Sequence, residues 1–333
     1  MRANPLRLAV LFTGSLMLMT SGCNMLPLSS SERVQVDAVH SLMNDLSPSY
    51  NRSLGIFIRE AANLISYGLP TQYGVNLAPY LAAFPAVIPG PPPVTPQINA
   101  DPSTRELHSI FSGSQLEIDS MVAPGSAQNS YVYTLNAVRT PTFTTGQLVV
   151  TTSGTNWVTP SAPPSSYVLN EGRVPQVPNS VDANLVLNLP ESAGQVKMQA
   201  ILDQFDQSGS SPTPRDCSFS FMSNDINIQL SGAYGSPQAV TLSGTTTFQG
   251  SSGNDTYQTH LTASNGTLQI LLTNTDHAFT VNLAYNNGLL TGEAQAQDGR
   301  QLQLATVTQA AGSMPSISYA DGTNESWNFT LPN

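Results

Sequence analysis

From Val240 to Leu331 polar and apolar positions alternate along the chain. Leu268, Ile270 and Leu272 fall on one side; Phe279, Val281, Leu283 and Tyr285 do likewise, with Thr280, Asn282 and Ala284 opposite. A two-residue period marks a strand with one buried face. Turn signals punctuate the runs about every eleven residues: Asn265-Gly266, Thr275-Asp276-His277, Asn287-Gly288, Asp298-Gly299, Ala310-Ala311-Gly312 and Asp321-Gly322. Such pairs between alternating runs are hairpin signals. The pattern predicts an antiparallel meander with an apolar face that something else must cover.

The same alternation extends upstream. Leu116 and Ile118 alternate with Glu117 and Asp119, and Tyr131, Tyr133 and Leu135 with Val132, Thr134 and Asn136. Leu148 and Val150 follow, then Val181, Ala183, Leu185, Leu187 and Leu189. Val196, Met198, Ala200 and Leu202 suit a strand, with a helical turn as the alternative. Phe219-Phe221 and Ile226-Ile228-Leu230 lead into the C-terminal part. Residues 106–333 therefore read as a β domain of roughly fourteen to sixteen strands, curled into a barrel, half-barrel or sandwich. The triplet Leu-Ser/Thr-Gly recurs at Leu230, Leu242 and Leu290. Glycine inside a strand marks a bend or a close backbone approach.

Two other periods precede the strands. Ser29 and Glu32 have capping-box spacing, followed at helical intervals by Val36, Val39, Leu42, Met43 and Leu46. Ser47-Pro48 predicts a break, and Leu54, Phe57, Ile58, Ala61 and Ile65 form a second stripe ended by Gly68 and Pro70. The expectation is two short helices, about 32–46 and 48–67, within a helical segment 32–67. Residues 68–105 form a proline-rich connector with eight prolines from Pro79 to Pro102, a composition that favours extended polyproline II. A second proline-rich loop covers 153–180.

The first residues change the picture. Arg2 and Arg7 precede an uncharged run from Leu8 to Met19, then Thr20-Ser21-Gly22-Cys23. A basic head, a short apolar run and small residues describe a secretory signal over 1–22. Twelve helical residues reach only about 18 Å, short of a span. Ser21-Gly22-Cys23 resembles the lipobox of the bacterial lipoprotein class, with Thr20 where that class favours leucine. The resemblance covers the first 23 residues. It implies cleavage before Cys23, a diacylglycerol on its thiol, a lipidated tether over 23–31, and a place in the bacterial cell envelope. Asn24, as a residue other than Asp, implies the outer membrane. The rival reading is ordinary cleavage after Gly22, leaving a plain thiol.

Charge and chemistry narrow the classes. Cleavage before Cys23 removes two arginines and no acid, taking the net charge from −10 to −12. A strongly acidic chain with one lysine, Lys197, excludes nucleic acid as a partner. It leaves the acyl anchor on Cys23 as the expected link to the membrane. Charged residues are only 10% of the chain, so Ser, Thr, Asn and Gln make its polar face. The sequence holds no G-x-S-x-G, no H-E-x-x-H and no P-loop, and no catalytic, cofactor or metal residue is assigned. His40 is placed in a helix, His108 before the first strand, His260 in a strand and His277 beside Asp276 in a turn. Glu117 and Asp119 share a face, read as solvated; Asp321 to Glu325 is read as a hairpin turn; Cys217, beside Asp216, as a buried small hydrophobe. The expected function is a non-catalytic, lipid-anchored envelope protein with a binding or structural role, open to a hydrophobic ligand. The alternatives are an envelope-polymer hydrolase using loop carboxylates and an outer-membrane β-barrel component; the latter lacks paired aromatic girdles.

Overall fold

The computed structural model describes residues 28–55, 97–101, 106–112, 117–124, 130–139, 143–153, 180–189, 194–204, 215–236, 239–250, 253–264, 267–286, 288–298 and 300–328. Cys23, the stripe beyond Gly55 and the loop 154–179 lie outside them. One α-helix, α1 (Ser30–Ser49), is followed by a single π-helical turn, Tyr50–Leu54. Then come seventeen strands, β1 (Gln97–Asp101), β2 (Glu106–Ser112), β3 (Glu117–Pro124), β4 (Ser130–Arg139), β5 (Thr145–Ser153), β6 (Ser180–Asn188), β7 (Gln195–Asp203), β8 (Asp216–Met222), β9 (Ile226–Ser236), β10 (Ala239–Gly250), β11 (Gly253–Ser264), β12 (Thr267–Asn274), β13 (Phe279–Asn286), β14 (Leu289–Ala296), β15 (Gln303–Thr308), β16 (Ser316–Tyr319) and β17 (Asn324–Ser326).

Each strand pairs antiparallel with the next in sequence, giving one uninterrupted meander. Among the described residues β1 and β17 do not pair with each other. All six turn signals fall between consecutive strands, and glycine supplies the left-handed backbone where the tightest need it, at Gly288 (φ +82°), Gly312 (φ +76°) and Gly322 (φ +88°). From β4 to β16 one face is buried. In β6 alternate residues Val181, Ala183, Leu185 and Leu187 are buried while Asp182, Asn184 and Val186 are not. The inward residues of β4 to β16 join one apolar core that also takes in Val36, Val39, Leu42 and Met43 of α1.

The helix lies across several strands. α1 packs against β10, β14 and β15. β10 and β15 stand five strand spacings apart in the meander, about 24 Å, a span that the 20-residue helix, about 30 Å long, can cross. Three inward glycines permit close approach in this region. Gly232 lies opposite Leu242, Gly244 opposite Leu230, and Gly292 opposite Leu283. A Cβ on Gly232 would stand 2.0 Å from the Thr241 carbonyl, and one on Gly244 2.0 Å from that of Gln229. The recurrent Leu-Ser/Thr-Gly triplet therefore places a leucine and the gap that receives its cross-strand neighbour two residues apart.

Four expectations are corrected. The helix does not break at Ser47-Pro48 but continues to Ser49. Proline removes one amide donor, and the wider turn Tyr50–Leu54 directly after it takes up the altered spacing. Residues 68–105 are not connector throughout, because Gln97–Asp101 forms β1, whose amides and carbonyls pair with β2. His108 lies within β2 rather than before the first strand. The run Val196–Leu202 is strand, as its alternation indicates. The helix starts two residues before the expected Glu32, at Ser30, with the capping box formed: the Glu32 amide donates to Ser29 Oγ at 3.3 Å and the Ser29 amide to Glu32 Oε2 at 2.6 Å.

Candidate functional site

In an uninterrupted antiparallel meander every second turn comes to the same end. The β8–β9, β10–β11, β12–β13, β14–β15 and β16–β17 turns therefore share one end of the sheet, its mouth, and several of the polar contacts of α1 lie there. Gln35 Nε2 donates to the carbonyls of His277 (3.2 Å) and Ala278 (3.1 Å) in the β12–β13 turn. Glu32 faces Arg300 of the β14–β15 turn at 3.8 Å, a pair with an exposed arginine and little energetic weight. Ser47 Oγ and Asn51 Nδ2 donate to the Asn328 carbonyl, beyond β17. Ser53 and Ser223, both buried, meet through their hydroxyls at 3.1 Å, reaching the β8–β9 turn.

The densest cluster joins the middle of α1 to the β16–β17 hairpin. The His40 ring stacks on Tyr319 with centroids 3.4 Å apart and planes 17° from parallel. His40 Nε2 is 3.1 Å from Thr323 Oγ1. Thr323 Oγ1 donates to Asp321 Oδ1 at 2.6 Å, and the Thr323 amide donates to the same oxygen at 2.9 Å. With its proton on the carboxylate, the hydroxyl accepts from His40, which puts an N–H on Nε2. The Asp321 carboxyl is held below its usual range, chiefly by the Thr323 hydroxyl. Tyr319 donates to Glu325 Oε1; burial first, then this bond and the Glu325 and Asp321 charges, push its phenol up. Trp327 closes the seam. Its buried indole Nε1 donates to the Met43 carbonyl at 3.0 Å, and its amide donates to the Pro315 carbonyl at 2.8 Å.

This is a histidine beside carboxylates, the pairing that a hydrolase would use. Here the polar atoms are engaged with one another: imidazole to hydroxyl, hydroxyl to carboxylate, phenol to carboxylate. Chemically the cluster is a clamp between helix and hairpin.

A second polar pair lies on the outer face. Ser243 Oγ is 2.8 Å from His260 Nδ1, across the β10–β11 register. The pair borders an open groove of about 230 Å³ lined by Gln258, Leu271 and Thr273 as well. No carboxylate lines that groove to orient the imidazole, so the hydrogen bond is a cross-strand contact of the polar face. Thr247 with Thr256 (3.0 Å) and Gln269 with Asn282 (3.1 Å) make contacts of the same kind.

The other residues singled out in the sequence do not converge. His277 sits in an exposed turn and serves through its backbone, its amide donating to Asn274 Oδ1 at 2.9 Å. Glu117 and Asp119 lie on β3, with Asp119 opposite Ile110 and Asn136. Cys217 is buried, and burial together with the Asp216 charge pushes its thiol up to about 11. Among the described residues no three of His, Cys, Asp and Glu gather as a metal site, and no helix is long and apolar enough to cross a membrane. Sequence reasoning passed over Tyr319, Thr323 as a bridge, and Trp327. No family model, curated protein or solved structure matches the chain.

Proposed function

We propose that this chain is a bacterial envelope lipoprotein, held through acyl chains on Cys23 and acting as a non-catalytic structural or binding module. On this reading the meander is a half-barrel around α1, with a polar, charge-poor outer face presented to partners. One observation carries the proposal: α1 begins seven residues after Cys23 and is built into the core of the sheet. An anchor joined by so short a tether to a core element restrains the whole body at the bilayer. The cluster around His40 supports the non-catalytic reading, because its hydrogen bonds fasten α1. The helix also takes the concave space beside β10, β14 and β15, and the proposal places no hydrophobic ligand there.

The test is fractionation and intact mass of protein from expressing cells. Wild type is expected in the membrane fraction with an acylated Cys23, and Cys23→Ala in the soluble fraction. Membrane retention of Cys23→Ala would remove the proposal's basis.

A further inference from the structure

We infer that the mouth of the sheet bearing the β12–β13 and β14–β15 turns faces the bilayer. The inference rests on the lipid anchor proposed above and adds what the anchor alone does not give, the orientation of the body. From Cys23 to Ser29 there are six residue steps, and a fully extended chain covers about 20 Å over them. The first turn of α1 therefore lies within that reach of the lipid surface. Its place in the fold is fixed: Glu32 lies by Arg300, and Gln35 holds the carbonyls of His277 and Ala278. Those turns share one end of the meander. The opposite end stands off by β13, a strand of eight residues, roughly 27 Å, and at the β15–β16 turn by β15, a strand of six residues, roughly 20 Å.

The chemistry of this mouth suits a surface held near lipid without entering it. Asp276, Asp298, Glu32 and Asp321 outnumber Arg300 and Arg33 there. Anionic headgroups would repel this rim, and the partner is the zwitterionic surface around the protein's own acyl chains. The outer faces of the strands then run away from the membrane, and the β13–β14 and β15–β16 turns reach furthest from it.

The experiment uses the full acylated chain in phosphatidylcholine vesicles carrying a headgroup quencher. Single fluorophores are placed at Asp276→Cys, Asp298→Cys and Ser313→Cys, all on exposed turns. Quenching at 276 and 298 is expected to exceed that at 313 by about two-fold or more, given the strand-length separation of the two ends. Equal quenching at the two ends, or stronger quenching at 313, with the acyl mass present on Cys23, would overturn the orientation and leave the anchor standing. Absence of the acyl mass would overturn both.

Discussion

The imidazole of His40 lies flat against the phenol ring of Tyr319, with centroids 3.4 Å apart, and joins α1 to a hairpin 279 residues further along the chain. Stacking of this kind contributes about 0.5–1.5 kcal/mol, and the bond to Thr323 about 1 kcal/mol more. His40→Ala is expected to lower unfolding free energy by about 1–3 kcal/mol. His40→Phe, which keeps the stack, should recover the larger part. Urea midpoints of the three proteins check this, and an unchanged midpoint in His40→Ala would show that the clamp carries no stability.

Trp327 is buried and bonds the Met43 carbonyl through Nε1. Trp327→Phe keeps most of the apolar contact and loses that bond. A cost of about 1–2 kcal/mol is expected from one lost buried hydrogen bond with some loss of packing. The same urea titration measures it.

Asp45 on α1 behaves oppositely to Asp321. Burial first, then the Asp255 charge, raises its carboxyl above the usual range. A raised folded pKa means the native state binds this proton more tightly than the unfolded chain does. Ionisation of Asp45 therefore opposes folding, and its cost is fully present above the folded pKa. The cost fades as pH falls through that value toward the unfolded value near ~3.9. Asp45→Asn is expected to stabilise the protein at pH 7 and to lose that advantage in acid. Thermal midpoints at pH 7 and near pH 3.5 test the sign. For Asp321 the depressed pKa works the other way: its contribution is present above the unfolded value and is lost as pH falls through the folded one.

Gly244 has no room for a methyl group. A Cβ there would meet the Gln229 carbonyl at 2.0 Å and Leu230 Cα at 3.0 Å, both backbone atoms of the paired strand β9. Relief requires parting β9 from β10. Gly244→Ala is expected to cost about 3 kcal/mol or more. Gly312→Ala, strained only by its φ of +76° in open space, should cost about 1 kcal/mol. Soluble yield and denaturation midpoints separate the two.

Local rules carried the strands. Phe279, Val281, Leu283 and Tyr285 announce β13 because side-chain direction alternates along any extended chain, and Asp321-Gly322 announces a hairpin because glycine accepts φ > 0 without strain. Ser29 and Glu32 announce the start of α1 for a similarly local reason. Its passage through Pro48 was not legible. Tertiary burial of Ser47, Ser49 and Tyr50 holds the helix together where propensity alone would end it. β1 was hidden by the prolines around it, since its pairing is supplied by β2 and not by its own pattern. The clamp was least legible. Acceptors such as the carbonyls of Met43, Ala278 and Asn328 are common to every residue, and only the tertiary fold brings them beside Trp327, Gln35 and Ser47.

The most direct measurement is amide hydrogen exchange, with α1 compared against β11 to β13. If the helix is built into the core of the sheet, amides from Val36 to Ser47 will exchange as slowly as those of Tyr257, Leu272 and Val281, and will become fast together with them in urea. Exchange of α1 orders of magnitude faster than the strands under native conditions would show a helix lying loosely on a sheet that folds without it, and would contradict the account.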